Sequence, residues 1–134
     1  MSAEDDIKTI QGMYEAFRRG DVAAILAGLS ESVDWAAEAA GTAAPWWGPR
    51  HGHAEVVDFF QAFGSTMEVE DFTPKRFAGS GDEVFALVRC VAKSRATGRA
   101  VDMDLHHCFR FDEDGKVAFY RGTEDTAQVE AAIA

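Results

Sequence analysis

The sequence predicts an α+β fold, in which helices from the first half of the chain lie on one side of a curved, mostly antiparallel sheet. Apolar residues recur at helical spacing in the first half, whereas the second half contains strand-like stretches separated by turn residues. No internal repeat, linker or block of like charge divides the 134 residues, so we expect one domain over 1–134. The hydrophobic content of 47% is enough to build a core at this length.

Three helices are predicted in the first half of the chain. The first begins after Ser2, whose hydroxyl can cap it, and ends at Gly20. Its apolar residues recur at helical spacing: Ile7, Ile10, Met13, Tyr14 and Phe17. Asp21 can cap a second, shorter helix. A third helix runs from about His53 to Gly64 and has one strongly aromatic face.

A short strand over 32–36 is followed by a stretch without a regular pattern. Residues 36–52 are rich in alanine, glycine and proline, and they predict a loop or lid that is more mobile than the sheet. Trp46 and Trp47 within it either grip a ligand or pack over the mouth of the core. The adjacent proline and glycine favour a ligand-gripping lid with exposed indole rings.

Two further strands precede the last hairpin. Residues 67–77 are strand-like but contain Pro74, which lacks a backbone N–H, so this strand lies at an edge or carries a bulge. Residues 84–92 are apolar on both faces except at Arg89, as expected of a strand that is covered on both sides. A Thr-Gly pair at 97–98 then turns the chain into the hairpin.

The last third of the chain organises the fold because it reads as two long strands joined by a turn. Apolar and polar residues alternate along the first of these strands, and His107 interrupts the apolar row. Asp114-Gly115 is a strong hairpin signal and, as a two-residue loop, pairs His107 with Gly122. The same register pairs Phe109 with Tyr120. A polar ring opposite a missing side chain suggests space for a ligand.

The charge and the apolar profile exclude several classes of partner. A formal charge of −10 repels phosphate backbones and anionic lipids, so we expect no binding to nucleic acid or to membrane surfaces. No apolar run approaches the roughly 20 residues of a membrane span. The acidic start does not resemble a signal peptide, so we expect a cytoplasmic protein. In that reducing compartment, Cys90 and Cys108 should be free thiols.

Five segments occur in an order and spacing that are typical of one known family. They are YEAFRRGDVAAILAGLSESVDW near the start, WWGPRHGHAEVVDFF in the middle, and TGR, HHCFRFDEDGKV and EDTA toward the end. Over nearly the whole chain, this arrangement resembles the SnoaL-like branch of the NTF2-like superfamily, which includes polyketide cyclases, ketosteroid isomerases and limonene epoxide hydrolases. The resemblance implies a cone, in which a strongly bent sheet wraps on about three helices and encloses a deep apolar pocket. It also implies a homodimer paired through the outer sheet face.

The resemblance implies a set of residues that face this pocket. With Trp47 of the predicted lid added, the ligand-binding set is Tyr14, Phe17, Trp35, Trp47, Phe59, Phe63, Val91, Phe109, Tyr120 and Gly122, and the catalytic candidates are His107 and Arg89. Trp35 stands where the isomerases have a carboxylate base, and His107 stands where they have an acidic oxyanion donor. Val91 and Gly122 replace the carboxylates of the hydrolases. Neither known catalytic set is therefore complete.

Each catalytic candidate also has a simpler structural explanation. His107 is either a general acid/base or a core histidine satisfied by one neighbour. Arg89 either orients a ligand or forms an ion pair with a carboxylate at 124–125. A two-residue loop at 97–98 pairs Arg89 with His106, whereas a three-residue loop pairs it with His107. The sequence leaves this register open.

No metal or cofactor site is predicted. The histidines at 51, 53, 106 and 107 lack the spacing of metal-binding motifs, and neighbours along a strand point to opposite faces. The two acidic residues at 124–125 are interpreted as a strand end that caps a short terminal helix.

The resemblance and the residue pattern together predict a function. They indicate binding of a small apolar molecule, cyclic or polyketide-like, with acid/base chemistry of the isomerase, cyclase or hydrolase type at His107. The alternative is a non-catalytic module that binds a ligand or forms dimers. Two or more titratable groups converging in the pocket would favour an enzyme, whereas His107 alone would favour a binder.

Overall fold

A computed structural model describes residues 2–134 as helices packed on the concave side of a bent six-stranded sheet. The helices are α1 (Ala3–Arg18), α2 (Val22–Ala27), α3 (Gly52–Thr66) and α4 (Thr126–Ile133). The strands are β1 (Leu29–Ala37), β2 (Gly48–His51), β3 (Met67–Ser80), β4 (Glu83–Ser94), β5 (Ala100–Phe111) and β6 (Val117–Thr123). The α+β prediction is confirmed.

The sheet is mixed. Its strand order is β2-β1-β6-β5-β4-β3, and β1 runs parallel to β6 while every other neighbouring pair is antiparallel. The parallel contact brings the first strand next to the last one, so residues far apart in sequence meet near the centre of the sheet. Trp35 lies beside Tyr120 in this register, and Ala37 lies beside Gly122.

The predicted helix starts are confirmed by their caps. The Ser2 hydroxyl accepts the backbone N–H of Asp5 at 3.1 Å, and Asp21 accepts the N–H of Ala24 at 3.0 Å. Asp125 caps α4 in the same way, through the N–H of Gln128 at 3.2 Å. Each cap satisfies one of the backbone donors that a helix leaves free in its first turn.

The loop prediction over 36–52 is wrong at both ends of that stretch. β1 continues to Ala37, and Gly48–His51 form the short strand β2, which pairs antiparallel with the end of β1. Within this stretch only 38–47 lie outside helices and strands, and both tryptophans there are buried, with Trp46 1% and Trp47 8% exposed. A four-residue strand that contains Gly and Pro shows no alternation, which is why its pairing was not visible in the sequence.

β3 is the edge strand that Pro74 predicted. It pairs with β4 alone, and its register shifts between Pro74 and Arg76. β4 differs from its prediction, because in this chain only its inner face is covered. The inward residues from Val84 to Ala92 are buried, whereas Phe85 on the outer face is 43% exposed.

The β5–β6 loop is longer than the two residues predicted. It spans 112–116, where the Asp112 carboxylate accepts the backbone N–H groups of Asp114 and Lys116 at 2.9 and 3.0 Å. A register shift next to Phe111 absorbs the extra residues. The predicted pairing of His107 with Gly122 is therefore confirmed, as is that of Phe109 with Tyr120.

None of the helices within residues 2–134 is both long enough and apolar enough to cross a lipid bilayer.

Candidate functional site

A partly open cavity lies between the concave face of the sheet and helices α1 and α3. The centres of water molecules can occupy about 80 Å³ of it. A single buried water needs roughly 10–15 Å³ by this measure, so the space can hold a small organic molecule. Its walls are mainly aromatic, and Trp35 stacks on Tyr120 with ring centroids 3.9 Å apart. An apolar ring is the kind of group that such walls accommodate.

Both helices and strands contribute predicted pocket residues to this cavity. From the helices come Tyr14, Phe17, Phe59 and Phe63. From the strands come Trp35, His107, Phe109, Tyr120 and Gly122. Their contact with the cavity is a structural observation, and their roles in ligand binding stay predictions.

The main polar contact inside the cavity joins Tyr14 and His107. The Tyr14 hydroxyl lies 2.6 Å from Nδ1 of His107, and the two rings are almost parallel, with an interplanar angle of 7°. A neutral histidine and a tyrosine carry two polar hydrogens between them. One of these hydrogens forms the contact, whichever way it points. The other stays available on the Tyr14 hydroxyl or on Nε2 of His107, so the pair can donate one further hydrogen bond.

Burial keeps both members of this pair neutral. Burial, with a smaller contribution from the nearby His106, lowers the pKa of His107 to about 3. Burial also raises the pKa of the Tyr14 hydroxyl above its usual value. The charged form of each group would lose its hydration in the cavity, which is why both shifts favour the neutral forms. At neutral pH the pair is a hydrogen-bond donor without net charge.

A carboxylate that lies just beyond β6 provides the second polar group. Glu124 lines the cavity and accepts the indole N–H groups of Trp46, at 3.3 and 3.4 Å from its two oxygens, and of Trp47, at 3.1 Å. Burial raises the pKa of Glu124, and the two indole hydrogen bonds offset part of that rise. A fixed carboxylate with a raised pKa is a chemically suitable general base.

Gly122 lies close to the side chains of Tyr120 and His107. A Cβ atom at this position would collide with the Tyr120 hydroxyl and lie 3.2 Å from Cδ2 of His107. The missing side chain therefore makes room for the Tyr120 hydroxyl. Gly122 also lines the cavity, and its role in ligand binding stays a prediction. Within the described residues, the Tyr120 hydroxyl has no hydrogen-bond partner.

A comparison with models of protein families identifies the family of this chain. The family model for the SnoaL-like domain matches residues 10–120. The chain belongs to the SnoaL-like family. No match was found among curated proteins.

Solved structures share the fold of this SnoaL-like protein over almost their whole length. An NTF2-like protein of unknown function from Burkholderia pseudomallei K96243 is 27% identical, with a TM-score of 0.89 over 100% of this chain and 99% of that one. TerC, co-crystallized with polyporic acid, is 23% identical, with a TM-score of 0.82 over 96% and 97% of the two chains. A protein from Xanthomonas campestris pv. campestris, provisionally described as a polyketide cyclase, is 20% identical, with a TM-score of 0.77 over 98% of each chain. The predicted NTF2-like cone is thus confirmed.

Arg89 of the SnoaL-like protein does not reach the cavity, so its prediction as a catalytic residue is wrong. It pairs with Asp104 across the sheet and forms an exposed ion pair with Asp102 at 3.0 Å. The turn before β5 has five residues, 95–99, rather than the two or three considered, and Gly98 takes a φ of +76° within it. This length sets Arg89 opposite a residue of the outer face.

Two predicted ligand-binding residues also lie elsewhere. Val91 belongs to the same outer row of β4 as Arg89, because side chains alternate along a strand. Trp47 is buried, does not line the cavity, and donates its indole N–H to Glu124. It supports a cavity residue instead of gripping a ligand.

Sequence reasoning missed Glu124, which it treated only as the end of a strand. One signal was available, because 120, 122 and 124 have the same parity and share a strand face. The contact with Trp46 and Trp47 was not accessible, since 77 or more residues separate those side chains from Glu124.

Proposed function

We propose that this protein binds a small, mostly apolar cyclic molecule that carries a carbonyl group and moves a proton on it. The observation behind this proposal is that four titratable side chains meet at one aromatic cavity: Tyr14, His107, Tyr120 and Glu124. Several convergent titratable groups in an apolar pocket favour an enzyme over a simple binder. His107, which is neutral, serves in hydrogen bonding and not as the proton acceptor.

Glu124 is the base in this proposal. Its carboxylate takes a proton from the carbon next to the ligand carbonyl, and the electron pair of that C–H bond moves into the carbon–carbon bond of an enolate. The negative charge then rests on the carbonyl oxygen. The donor left free by the Tyr14–His107 pair stabilises that oxygen with a hydrogen bond. If the ligand carries a carbon–carbon double bond one carbon further along, the enolate is a dienolate, and return of the proton from Glu124 to its far carbon completes an isomerase-type reaction. If the ligand carries a second carbonyl group, the enolate carbon attacks that carbonyl carbon, the resulting alkoxide takes the proton back from Glu124, and a cyclase-type reaction is complete.

The related structures support the ligand class. TerC was co-crystallized with polyporic acid, and the Xanthomonas protein is provisionally described as a polyketide cyclase. We carry over to this chain only the general expectation of a small cyclic or polyketide-like ligand.

Hydrogen–deuterium exchange at a ketone tests the proposal directly. 2-Tetralone, an apolar bicyclic ketone, exchanges the hydrogens next to its carbonyl in D2O, and NMR follows the rate. We expect the wild-type protein to accelerate this exchange and Glu124→Gln to lower the acceleration by about 10²- to 10⁴-fold, the usual contribution of a positioned base. Glu113→Gln, at an exposed site in the β5–β6 loop, is the matched control and should exchange like the wild type.

Two further measurements separate the possible outcomes. E124Q keeps an amide oxygen that accepts the indole hydrogen bonds, so its unfolding free energy and its affinity for 2-tetralone should not fall. Wild-type exchange rates in a folded E124Q contradict the role of Glu124 as the base. Tight binding of 2-tetralone with no acceleration in the wild type supports the non-catalytic binding module instead.

We also propose a cytoplasmic homodimer that pairs through the outer face of the sheet. Phe85, 43% exposed on that face near the start of β4, supports an interface there. Cys90 and Cys108 are free thiols, which supports a reducing compartment.

A further inference from the structure

A second, open groove lies outside the aromatic wall of the cavity, between the ends of α1 and α3 and the start of β3. The centres of water molecules can occupy about 260 Å³ of it. Phe17, Phe60 and Phe63 line both the cavity and the groove, so these three partly buried rings form a wall shared by the two spaces. The cavity and the groove are therefore direct neighbours that share these three rings.

Arg95 provides the charged side chain of the groove lining, which is otherwise apolar or glycine. Two contacts hold it in place at the end of α3. Its backbone N–H donates to the Thr66 carbonyl at 2.9 Å, and its Nε donates to the Gly64 carbonyl at 2.9 Å. Glu68 is the carboxylate nearest to the guanidinium, and its 3.9 Å separation is too long for a strong hydrogen bond. The side chain of Arg95 is 50% exposed, so its outer edge can reach a ligand.

The two charged groups make the cavity and the groove electrostatically different. Glu124 lies in the cavity and repels an anionic group there, whereas Arg95 lies in the groove and attracts one. A guanidinium matches the planar geometry of a carboxylate especially well.

We propose that the ligand of this protein is a carboxylic acid, with its ring in the cavity and its carboxylate bound by Arg95 in the groove. This inference rests on the proposed function, because it uses the same cavity for the ring. The chain that links the ring to the carboxylate passes the shared wall of Phe17, Phe60 and Phe63. The groove thereby selects for a carboxylate at a set distance from the ring.

Matched acids and amides test the groove. The probes are 3-phenylpropionate and 5-phenylpentanoate, each compared with its primary amide, and the Kd is measured by isothermal titration calorimetry. We expect one of the two acids to bind about tenfold more tightly than its amide, as a charge-assisted hydrogen bond at a half-exposed site gives. High salt should reduce this preference, because Arg95 is exposed to solvent.

Variants assign the preference to Arg95. Arg95→Gln should abolish the preference for the acid and leave amide binding unchanged, while Arg95→Lys should keep part of it. Glu68→Gln removes the nearest competing carboxylate and should strengthen acid binding a few-fold. Arg99→Gln is the control, since Arg99 belongs to the same turn and donates to the carbonyls of Ala131 and Ala134, outside the groove. If R95Q fails to fold, the acid preferences of R95K and E68Q still test the role of Arg95.

The outcomes separate this inference from the proposed function. An acid preference that survives in R95Q, or equal binding of both acids and their amides by the wild type, overturns the groove inference alone. Failure of acids and amides alike to bind overturns the proposed use of the cavity, and the groove inference with it.

Discussion

His107 links the chemistry of the cavity to the stability of the fold. Its folded pKa of about 3 lies below the ordinary histidine value of 6.5, so the unfolded chain binds a proton more readily than the folded one between these pH values. The stabilising contribution of neutral His107 is present above pH 6.5 and is lost as the pH falls toward 3.

Urea unfolding between pH 7 and pH 5 tests this relation. We expect the unfolding free energy of the wild type to fall as the pH is lowered from 7 to 5. The unfolding free energy of the His107→Gln variant should fall less steeply. His51→Gln replaces an exposed histidine whose side chain makes no capping hydrogen bond to α3. This control should keep the wild-type dependence of the unfolding free energy on pH. Parallel wild-type and H107Q profiles would mean that His107 titrates at an ordinary pKa.

At the scale of elements, close contact between α1 and β3 sets the position of Tyr14. A Cβ atom on Gly79 of β3 would lie 2.8 Å from the Cβ of Ala3, so the start of the helix rests directly on the strand. Any side chain at 79 must push α1 away from the sheet. Since α1 carries Tyr14, such a shift also disturbs the contact with His107.

Two glycine substitutions, which should change the unfolding free energy in opposite directions, test this packing. Gly79→Ala should lower the unfolding free energy by about 1–3 kcal/mol, the usual cost of forcing an extra methyl group into a packed site. Gly12→Ala, in α1 where an added Cβ atom would meet nothing within 4 Å, should raise it by about 0.5–1 kcal/mol through helix propensity. Thermal and urea unfolding measure both changes. A neutral Gly79→Ala would show that α1 adjusts freely.

At the scale of the whole molecule, the proposed homodimer pairs through the outer face of the sheet. Its charged side chains already form pairs within the chain: Arg89 with Asp102, Lys75 with Asp104, and Arg110 with Glu83. Phe85 is exposed on this face. Paired charges around an exposed aromatic ring are compatible with burial against a second copy.

Sedimentation at micromolar concentration tests the assembly. We expect a dimer for the wild type and a monomer for Phe85→Glu, because a carboxylate there would lie close to its own copy across a two-fold axis. Val69→Glu changes an equally apolar exposed residue at the edge strand and should remain dimeric. A wild-type monomer removes the dimer proposal.

Local signals in the sequence determined most of the elements and one central register. Ser2, Asp21 and Asp125 cap helices because a side-chain oxygen satisfies nearby backbone donors, which is a property of neighbouring residues. Pro74 marked an edge strand for an equally local reason, its missing N–H. The pairing of His107 with Gly122 was predictable because a turn centred on Asp114-Gly115 sets the register of the two strands that it joins.

Tertiary structure alone decided the rest of the site. The sheet face on which Arg89 lies depended on the conformation of five turn residues. A change of one residue in the register after that turn moves every side chain of the strand to the opposite face. The role of Gly122 depended on where the Tyr120 hydroxyl lies. Glu124 became a candidate base only because the 38–47 loop folds back and sets two indole N–H groups on its carboxylate. Local patterns specify which face a residue occupies within its own element, whereas contacts between distant segments depend on how those elements pack together.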